Sequence, residues 1–146
     1  MIDGVYGFDR EYSWLSNFYV LTVPVIDEFE IEYNSTEAFY QAHKSTDRNY
    51  RSMQQTLSPS QSKKAGRAIV LREDWEAIKV DVMRDAIRQK FTRNEDLKHK
   101  LLCTGDLYLE ETNWWHDTFW GVCNGKGQNV LGNLLMELRE EMKREA

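Results

Sequence analysis

The pattern of apolar and polar positions in the first third of the chain predicts a β-hairpin followed by a helix. Residues 18–33 are rich in β-branched side chains, and their second half alternates between apolar and polar residues, as a half-buried strand does. Pro24 favours an edge position for the first strand. Ser35 or Thr36 then caps a helix that we expect to run to about Gln55.

Helical periodicity dominates the rest of the chain. Ser58, Pro59 and Gln61 have the spacing of a capping box with proline at the first helical position, which predicts a helix start. Further helices are expected after Asp74, after a cap at Asn94, and over residues 128–143. Two of these helices carry apolar stripes: Trp75, Ile78, Val82, Ala86, Ile87 and Phe91 in one, and Leu131, Leu134, Leu135, Leu138 and Met142 in the last.

Between these helices, residues 107–109 are predicted to form a short strand and residues 112–129 an irregular segment rich in aromatic residues and glycine. No repeat or linker divides the chain. The length of 146 residues and the hydrophobic content of 41% are typical of one globular domain. We therefore expect a mainly helical α+β fold: a single compact domain over residues 1–146 with a small antiparallel β-sheet.

Composition and charge narrow the classes of function. No apolar run is long enough to cross a membrane, and the first residues lack the pattern of a signal peptide. Two cysteines without metal-ligand spacing predict neither a disulfide framework nor a metal site, so we expect a cytoplasmic protein. The net charge is −5, which disfavours non-specific DNA binding, but residues 58–103 carry a net charge of +4 that suits a phosphate-bearing ligand.

A polar stripe in the first predicted helix is the leading candidate for chemistry. Glu37, Gln41 and Lys44 are spaced at i, i+4 and i+7, so on a helix they share one face. The carboxylate can stabilise a cationic transition state or activate water, and an amine of lowered pKa can attack an electrophilic carbon. An ordinary solvated face with an ion pair is the alternative interpretation.

Two shorter motifs can contribute to ligand binding. Asn17 can bond to a ligand amide or hydroxyl, and Phe18 can stack on a base, although a turn followed by core aromatics has the same pattern. Lys63 and Arg67 share a helix face and can clamp a phosphate, with Gly66 allowing close approach. A basic solvated face is the alternative for this pair.

The aromatic segment is the fourth candidate site. Three tryptophans lie between Trp114 and Trp120, close to Glu111 and Asp117, which suits a pocket that stacks a flat ligand. Asp117 is a candidate acid or base. His116 has no second His or Cys at ligand spacing, so we expect no metal. A loop that covers the core is the alternative.

The ordered set of these motifs resembles the NADAR, or YbiA-like, family over almost the whole chain. The residues that carry the resemblance are Leu15-Ser16-Asn17-Phe18-Tyr19, Glu37-Ala38-Phe39-Tyr40-Gln41-Ala42-His43-Lys44, Lys63-Lys64-Ala65-Gly66-Arg67, Lys79-Val80-Asp81-Val82-Met83, Leu101-Leu102-Cys103-Thr104-Gly105, Asp117-Thr118-Phe119-Trp120-Gly121 and Asn129-Val130-Leu131-Gly132-Asn133-Leu134-Leu135-Met136. Each motif is weak alone, and their order makes the set specific.

The resemblance implies a compact, mainly helical α+β domain with N-glycosidase activity. The implied ligands are ribose phosphates that carry a nucleobase-like group, NAD and ADP-ribose among them. The implied substrates are small nucleotide-like molecules, such as the ribosylaminopyrimidine phosphates of early riboflavin synthesis, or ADP-ribosylated guanine in nucleic acid. A non-catalytic module that binds NAD or ADP-ribose is the alternative function.

The resemblance also assigns roles to residues of this chain. It implies that Asn17 and Phe18 line a base pocket, Glu37 and Lys44 lie at the reacting carbon, Lys63 and Arg67 lie near the phosphate, and Glu111, Asp117 and Trp120 close the site. Glu37 and Asp117 are then the acid–base pair, in either order. Lys44 offers a second route, through attack on C1′ and a Schiff base. Neither route requires a metal or a cofactor.

Overall fold

The computed structural model describes residues 2–145, and over that range the fold is α+β and mainly helical, as expected. Helices and strands follow one another in the order β1 (Gly4–Tyr6), a 3-10 helix (Arg10–Leu15), β2 (Val25–Ile26), β3 (Glu32–Tyr33), α1 (Thr36–Ala42), α2 (Arg48–Gln55), α3 (Pro59–Arg67), α4 (Trp75–Arg93), α5 (Glu95–Cys103), β4 (Tyr108–Glu110), β5 (Thr112–Asn113), β6 (Val122–Cys123) and α6 (Val130–Glu145).

Residue contacts divide the chain into two compact units. One unit contains Met1–Ser16 and Asp96–Ala146, and the other contains Asn17–Glu95. Six of the nine predicted site residues fall in the second unit, and Glu111, Asp117 and Trp120 fall in the first. The prediction of a single compact domain over residues 1–146 stays a prediction.

In the first unit, β4 is covered by the last helix. β1 pairs with β4 in parallel, with Val5 opposite Leu109, and β5 pairs with β6, also in parallel. Gly132 of α6 lets the helix approach β4 closely, because a Cβ there would lie 2.1 Å from the Leu109 carbonyl oxygen. The sequence pattern predicted the strand near residue 108 but not β1 or the parallel pairing.

In the second unit, the predicted hairpin is present but short. β2 and β3 pair antiparallel over two residues each, with Val25 opposite Tyr33. The expected strand over the residues before Val25 is absent; the Leu21 N–H still donates to the Asn34 carbonyl, but the Val23 backbone is bonded to a side chain outside the hairpin. The Val23 N–H donates to Asn94 Oδ1 at 2.9 Å, and Asn94 Nδ2 donates to the Val23 carbonyl at 3.0 Å. Asn94 thus holds this segment instead of capping α5 as predicted.

The prediction of one helix from residue 36 to residue 55 is wrong, because α1 ends at Ala42 and α2 begins at Arg48. Polar side chains between them take the place of helical hydrogen bonds. Ser45 Oγ accepts from the Asp47 N–H at 3.0 Å, and Asp47 Oδ1 accepts from the Asn49 N–H at 2.8 Å. The second bond caps α2, so a new helix starts there.

The other helix predictions are confirmed. α3 begins with the predicted capping box, in which Ser58 and Gln61 bond to each other's backbone N–H. The apolar stripe of α4 is buried from Trp75 to Phe91, apart from a partly exposed Ile78, and the inner face of α6 is buried throughout. Asp74 precedes α4 without a side-chain cap bond, because its carboxylate pairs with Arg72.

Candidate active site

The start of α1 places Glu37 in a buried position. Ser35 caps the helix through a hydrogen bond from the Ala38 N–H, and the Glu37 N–H donates to the Asn17 carbonyl at 3.1 Å. The Glu37 side chain is buried and accepts a hydrogen bond from Gln41 Nε2 at 2.6 Å, one helical turn further on. A buried carboxylate with a short, directed donor has a fixed orientation.

Asn17 fastens the start of α1. Its Oδ1 accepts from Thr36 Oγ1 at 2.8 Å, and its Nδ2 lies 3.6 Å from Met83 Sδ on α4. The Asn17 side chain is therefore engaged within the protein, and its carbonyl holds the N–H of Glu37. The predicted contact of Asn17 with a ligand base stays a prediction.

Lys44 lies just beyond the end of α1, which corrects the prediction that it shares a helical face with Glu37. His43 is the C-cap, and the Lys44 N–H donates to the Gln41 carbonyl at 3.3 Å in a tight turn. The Lys44 carbonyl accepts from the Arg72 N–H at 2.9 Å, which fixes the turn from its other side.

The environment of Lys44 lowers the pKa of its ammonium group. Burial lowers the pKa of the Lys44 ammonium below its ordinary value; Glu37 opposes this change, and Arg67, Lys63 and Lys79 add to it. The Lys44 Nζ also lies 5.6 Å from the centroid of the Tyr40 ring and 6.0 Å from that of Trp75. Desolvation and neighbouring cations are the two conditions that activate a lysine amine as a nucleophile, and Lys44 has both.

Positive charge surrounds this pair. Lys63 and Arg67 lie on α3 and Lys79 lies on α4, and all three act electrostatically on Lys44. The Lys63 Nζ lies 5.8 Å from the centroid of the Phe18 ring, and Phe18 is exposed to solvent. The cluster that we call the Lys44 cluster therefore consists of Glu37, Lys44, Lys63, Arg67 and Lys79.

A buried charge network holds the turn that carries Lys44. Arg51 is completely buried; its Nε donates to the Ser45 carbonyl at 2.8 Å, and its Nη1 pairs with Asp27 and Glu28. Tyr33 donates its hydroxyl to Asp27 at 2.7 Å. Burial raises the pKa of Asp27, but the hydrogen bonds from Tyr33, from two backbone N–H groups and from Arg51 outweigh burial and hold that pKa below 3.8.

In the first unit, Asp117 forms a turn. Its Oδ1 accepts from the N–H of Phe119 at 3.2 Å and of Trp120 at 2.9 Å, and its own backbone is held by both ends of the Asn113 side chain. The structure therefore gives one Asp117 oxygen a role in shaping the loop. Its predicted role as a catalytic acid or base stays a prediction.

Glu111 and Trp120 belong to the same loop region as Asp117. The Glu111 N–H donates to Asn129 Oδ1 at 3.0 Å, and the Trp120 ring packs edge-to-face on Phe119 with centroids 4.9 Å apart. Gly121 is required here, because a Cβ would lie 2.1 Å from the Glu111 carbonyl oxygen. Their predicted contacts with substrate stay predictions.

The structure thus brings the six predicted residues of the second unit into one connected group. Glu37, Lys44, Lys63 and Arg67 interact electrostatically, Phe18 contacts Lys63, and Asn17 holds the backbone of Glu37. Within residues 2–145, no three His, Cys, Asp or Glu side chains are grouped as a metal site would need. No helix in that range is both long and apolar enough to span a membrane.

Two features of this group were not predicted from the sequence. Tyr40 and Trp75 flank the Lys44 ammonium; the spacing of Tyr40 at i−4 from Lys44 is a local signal that was available, but the approach of Trp75 is not local. Lys79 has an electrostatic effect on Lys44 although it is 35 positions away, and no local pattern signals this.

Comparison with known proteins identifies the family. The sequence matches the NADAR domain over residues 6–143, so the chain belongs to the NADAR family. It is 37% identical to N-glycosidase YbiA of Shigella boydii, over 94% of this chain and 86% of that protein. It is 33% identical to N-glycosidase Npun_R5314 of Nostoc punctiforme, over 92% of this chain and 88% of that protein.

Two further similarities concern a longer protein and a solved structure. The chain is 37% identical to riboflavin biosynthesis protein VVA0006 of Vibrio vulnificus over 97% of its own length, but it spans only 38% of that protein. The NMR structure of the Escherichia coli protein YbiA is similar with a TM-score of 0.84 and 36% identity, covering 99% of this chain and 88% of that one. This likeness confirms the expected YbiA-like α+β fold.

Proposed function

We propose that this protein is an N-glycosidase that hydrolyses the C–N bond between a ribose phosphate, or ADP-ribose, and a nucleobase-like group. Its enzyme class is that of the N-glycosidases to which it is 33–37% identical over more than nine-tenths of its length. The single observation that carries the chemistry is the Lys44 cluster, in which a buried carboxylate acts on an amine whose pKa is lowered by burial.

The reaction needs stabilisation of positive charge at C1′ and of negative charge on the leaving base. Glu37 supplies the negative charge that stabilises a cationic C1′. In the alternative route the neutral amine of Lys44 attacks C1′, and the C–N bond to the base breaks with its electron pair on the base, which takes the proton released by the attacking amine. The sugar ring then opens to a protonated Schiff base as O4′ takes a proton from water. Water then hydrolyses the Schiff base and restores the amine.

The cations of the cluster suit the phosphate of such a substrate. Lys63 and Arg67 lie on adjacent turns of one face of α3, and Lys79 adds a third positive charge from α4. Grouped cations favour a phosphate-bearing ligand over a neutral nucleoside. The Phe18 ring lies beside Lys63 and is exposed, and we propose that it contacts the base.

The remaining assignments extend this proposal. We assign substrate contacts to Asn17, Glu111 and Trp120, and the second catalytic carboxylate to Asp117, as the family resemblance implies. Both cysteines are free, which agrees with a reducing compartment, and we propose that the protein acts in the cytoplasm.

The experiment that tests the proposal offers both substrate types to the purified protein. A ribosylaminopyrimidine phosphate and an oligonucleotide with ADP-ribosylated guanine are incubated separately, and released base and sugar phosphate are measured by mass spectrometry. We expect equal amounts of free base and ribose phosphate, or of free guanine-containing strand and ADP-ribose, from one of the two. Binding of either ligand without any release would favour the non-catalytic binding module instead.

A further inference from the structure

The amide of Gln41 lies between Glu37 and Gly66 and is almost completely buried, with 4% of the residue exposed. Its Nε2 donates to Glu37 Oε2 at 2.6 Å. Its Oε1 is buried and has no hydrogen-bond partner within the described residues 2–145. A Cβ on Gly66 would lie 1.8 Å from this oxygen, so the oxygen packs directly against the backbone of α3.

The chemistry of the two groups fixes the orientation of the amide. Only the NH2 end of Gln41 can donate to a carboxylate oxygen, so Nε2 faces Glu37 and Oε1 faces Gly66. Glu37 Oε2 consequently accepts this hydrogen bond. The amide cannot move away from Glu37 towards α3, because the backbone at Gly66 already lies against Gln41 Oε1.

Two features of this arrangement are unfavourable for stability, and both lie next to Glu37. Leaving a buried carbonyl oxygen without a donor is unfavourable, and native structures rarely keep such a group without a reason. Glycine is also a poor residue for the last turns of a helix such as α3. The unpaired oxygen and the helical glycine occur together at the position where they hold Gln41 Nε2 against Glu37 Oε2.

We propose that Gln41 is a positioning residue for Glu37, and that Gly66 provides the space in which its amide is held. Gln41 keeps Oε2 of the Glu37 carboxylate as a hydrogen-bond acceptor and fixes the carboxylate plane relative to Lys44. In this orientation Glu37 acts as the charged group that stabilises C1′. The inference rests on the proposed function, because it assigns Gln41 a part in that reaction.

A double-mutant cycle tests the contact and the role together. Gly66→Ala pushes the amide away from Glu37, and Gln41→Ala removes it. In the double variant the two alanines fit, because the Cβ of Gln41 is 3.4 Å from the Cβ that Gly66→Ala introduces, an ordinary contact. Folding is followed by circular dichroism, and kcat and KM are measured on the substrate that the wild type cleaves. Gln55→Ala, at an exposed glutamine of α2, is the matched control.

We expect each single variant to lower kcat by about 10- to 100-fold with little change in KM, because a misplaced carboxylate weakens the transition state more than binding. The double variant should have the kcat of Gln41→Ala alone and should unfold at a higher temperature than Gly66→Ala alone. Gln55→Ala should behave as the wild type does.

Two results would overturn the inference, and they differ from each other. A folded Gln41→Ala or double variant with wild-type kcat, beside an inactive Glu37→Gln, would leave the glycosidase intact and make Gln41 purely structural. A wild type that releases no base from either substrate would remove the proposed function and this inference with it.

Discussion

Replacing Asp27 by Asn removes one negative charge from a cluster in which Arg51 is completely buried. The Asp27 carboxylate and the Arg51 guanidinium are both without solvent exposure, and their closest atoms are 3.2 Å apart. Arg51 also donates to the Ser45 carbonyl, next to Lys44. The substitution therefore tests how strongly this network holds the turn that carries the proposed nucleophile.

The expected loss of stability is about 3 kcal/mol. Removing one partner of a buried ion pair costs roughly 3–5 kcal/mol, because the remaining charge is left in the protein interior. The lower end applies here, since the half-exposed Glu28 still pairs with Arg51. For a protein of this length, that loss corresponds to a fall in Tm of roughly 6–12 °C.

Thermal unfolding of Asp27→Asn and of a matched control measures this loss. Asp81→Asn removes the same group from a pair with Arg84, whose atoms are 2.7 Å apart and whose Asp is 77% exposed. The exposed pair should contribute less than about 1 kcal/mol. If Asp27→Asn shifts the unfolding temperature no more than Asp81→Asn does, burial of the Asp27–Arg51 pair does not stabilise the turn.

The pH dependence of the difference in unfolding free energy between the wild type and Asp27→Asn gives a second test. The pKa of Asp27 is lowered in the folded protein, so its contribution is complete above the unfolded value of 3.8. It is lost as pH falls through the lower folded pKa. The gap in unfolding free energy between the wild type and Asp27→Asn should therefore stay constant above pH 3.8 and narrow only below it.

The other predictions concern catalysis and helix capping. Lys44→Arg should abolish turnover, and borohydride should trap a ribose adduct on the wild type only; an active variant without an adduct would make Lys44 a binding residue. With Lys44 as nucleophile, the wild-type rate should rise with pH to a plateau through a pKa below 10.5. Asp117→Asn should fold normally, since an amide oxygen accepts from the same N–H groups, but it should lose turnover. Full activity of this variant would show that Asp117 only shapes the loop and takes no part in catalysis. Ser58→Ala should cost about 1 kcal/mol in chemical denaturation without changing the rate, whereas Ser60→Ala should cost less.

Local signals predicted those parts of the fold that local interactions decide. The capping box at Ser58 and the apolar stripes of α4 and α6 are properties of a few adjacent turns, and the structure has them where expected. The break after Ala42 was missed although Asp47 is a good cap, because no glycine or proline marks a helix end between residues 36 and 55. β1 was missed because its partner β4 lies about 100 residues away in sequence.

The candidate site also divides into features that local spacing indicated and features that depend on packing between distant elements. The spacing of Glu37, Gln41 and Lys44 pointed to the segment that carries the Lys44 cluster, although Lys44 lies beyond the helix. Residue type and spacing pointed to Asn17 and to the α3 cations as candidates, and the family resemblance gave them their expected roles. The contact of Gly66 with Gln41 and that of Trp75 with Lys44 depend on how α3 and α4 pack on α1, and no pattern within one element indicates such a contact.

The central claim, that the Lys44 cluster breaks an N-glycosidic bond, is tested most directly by comparing turnover and binding in Glu37→Gln. The change keeps the shape of the side chain and removes its charge, so the fold and the affinity for substrate, measured by calorimetry, should be close to those of the wild type. Release of the base should fall by about 10²-fold or more. Wild-type release of base from Glu37→Gln would contradict the account.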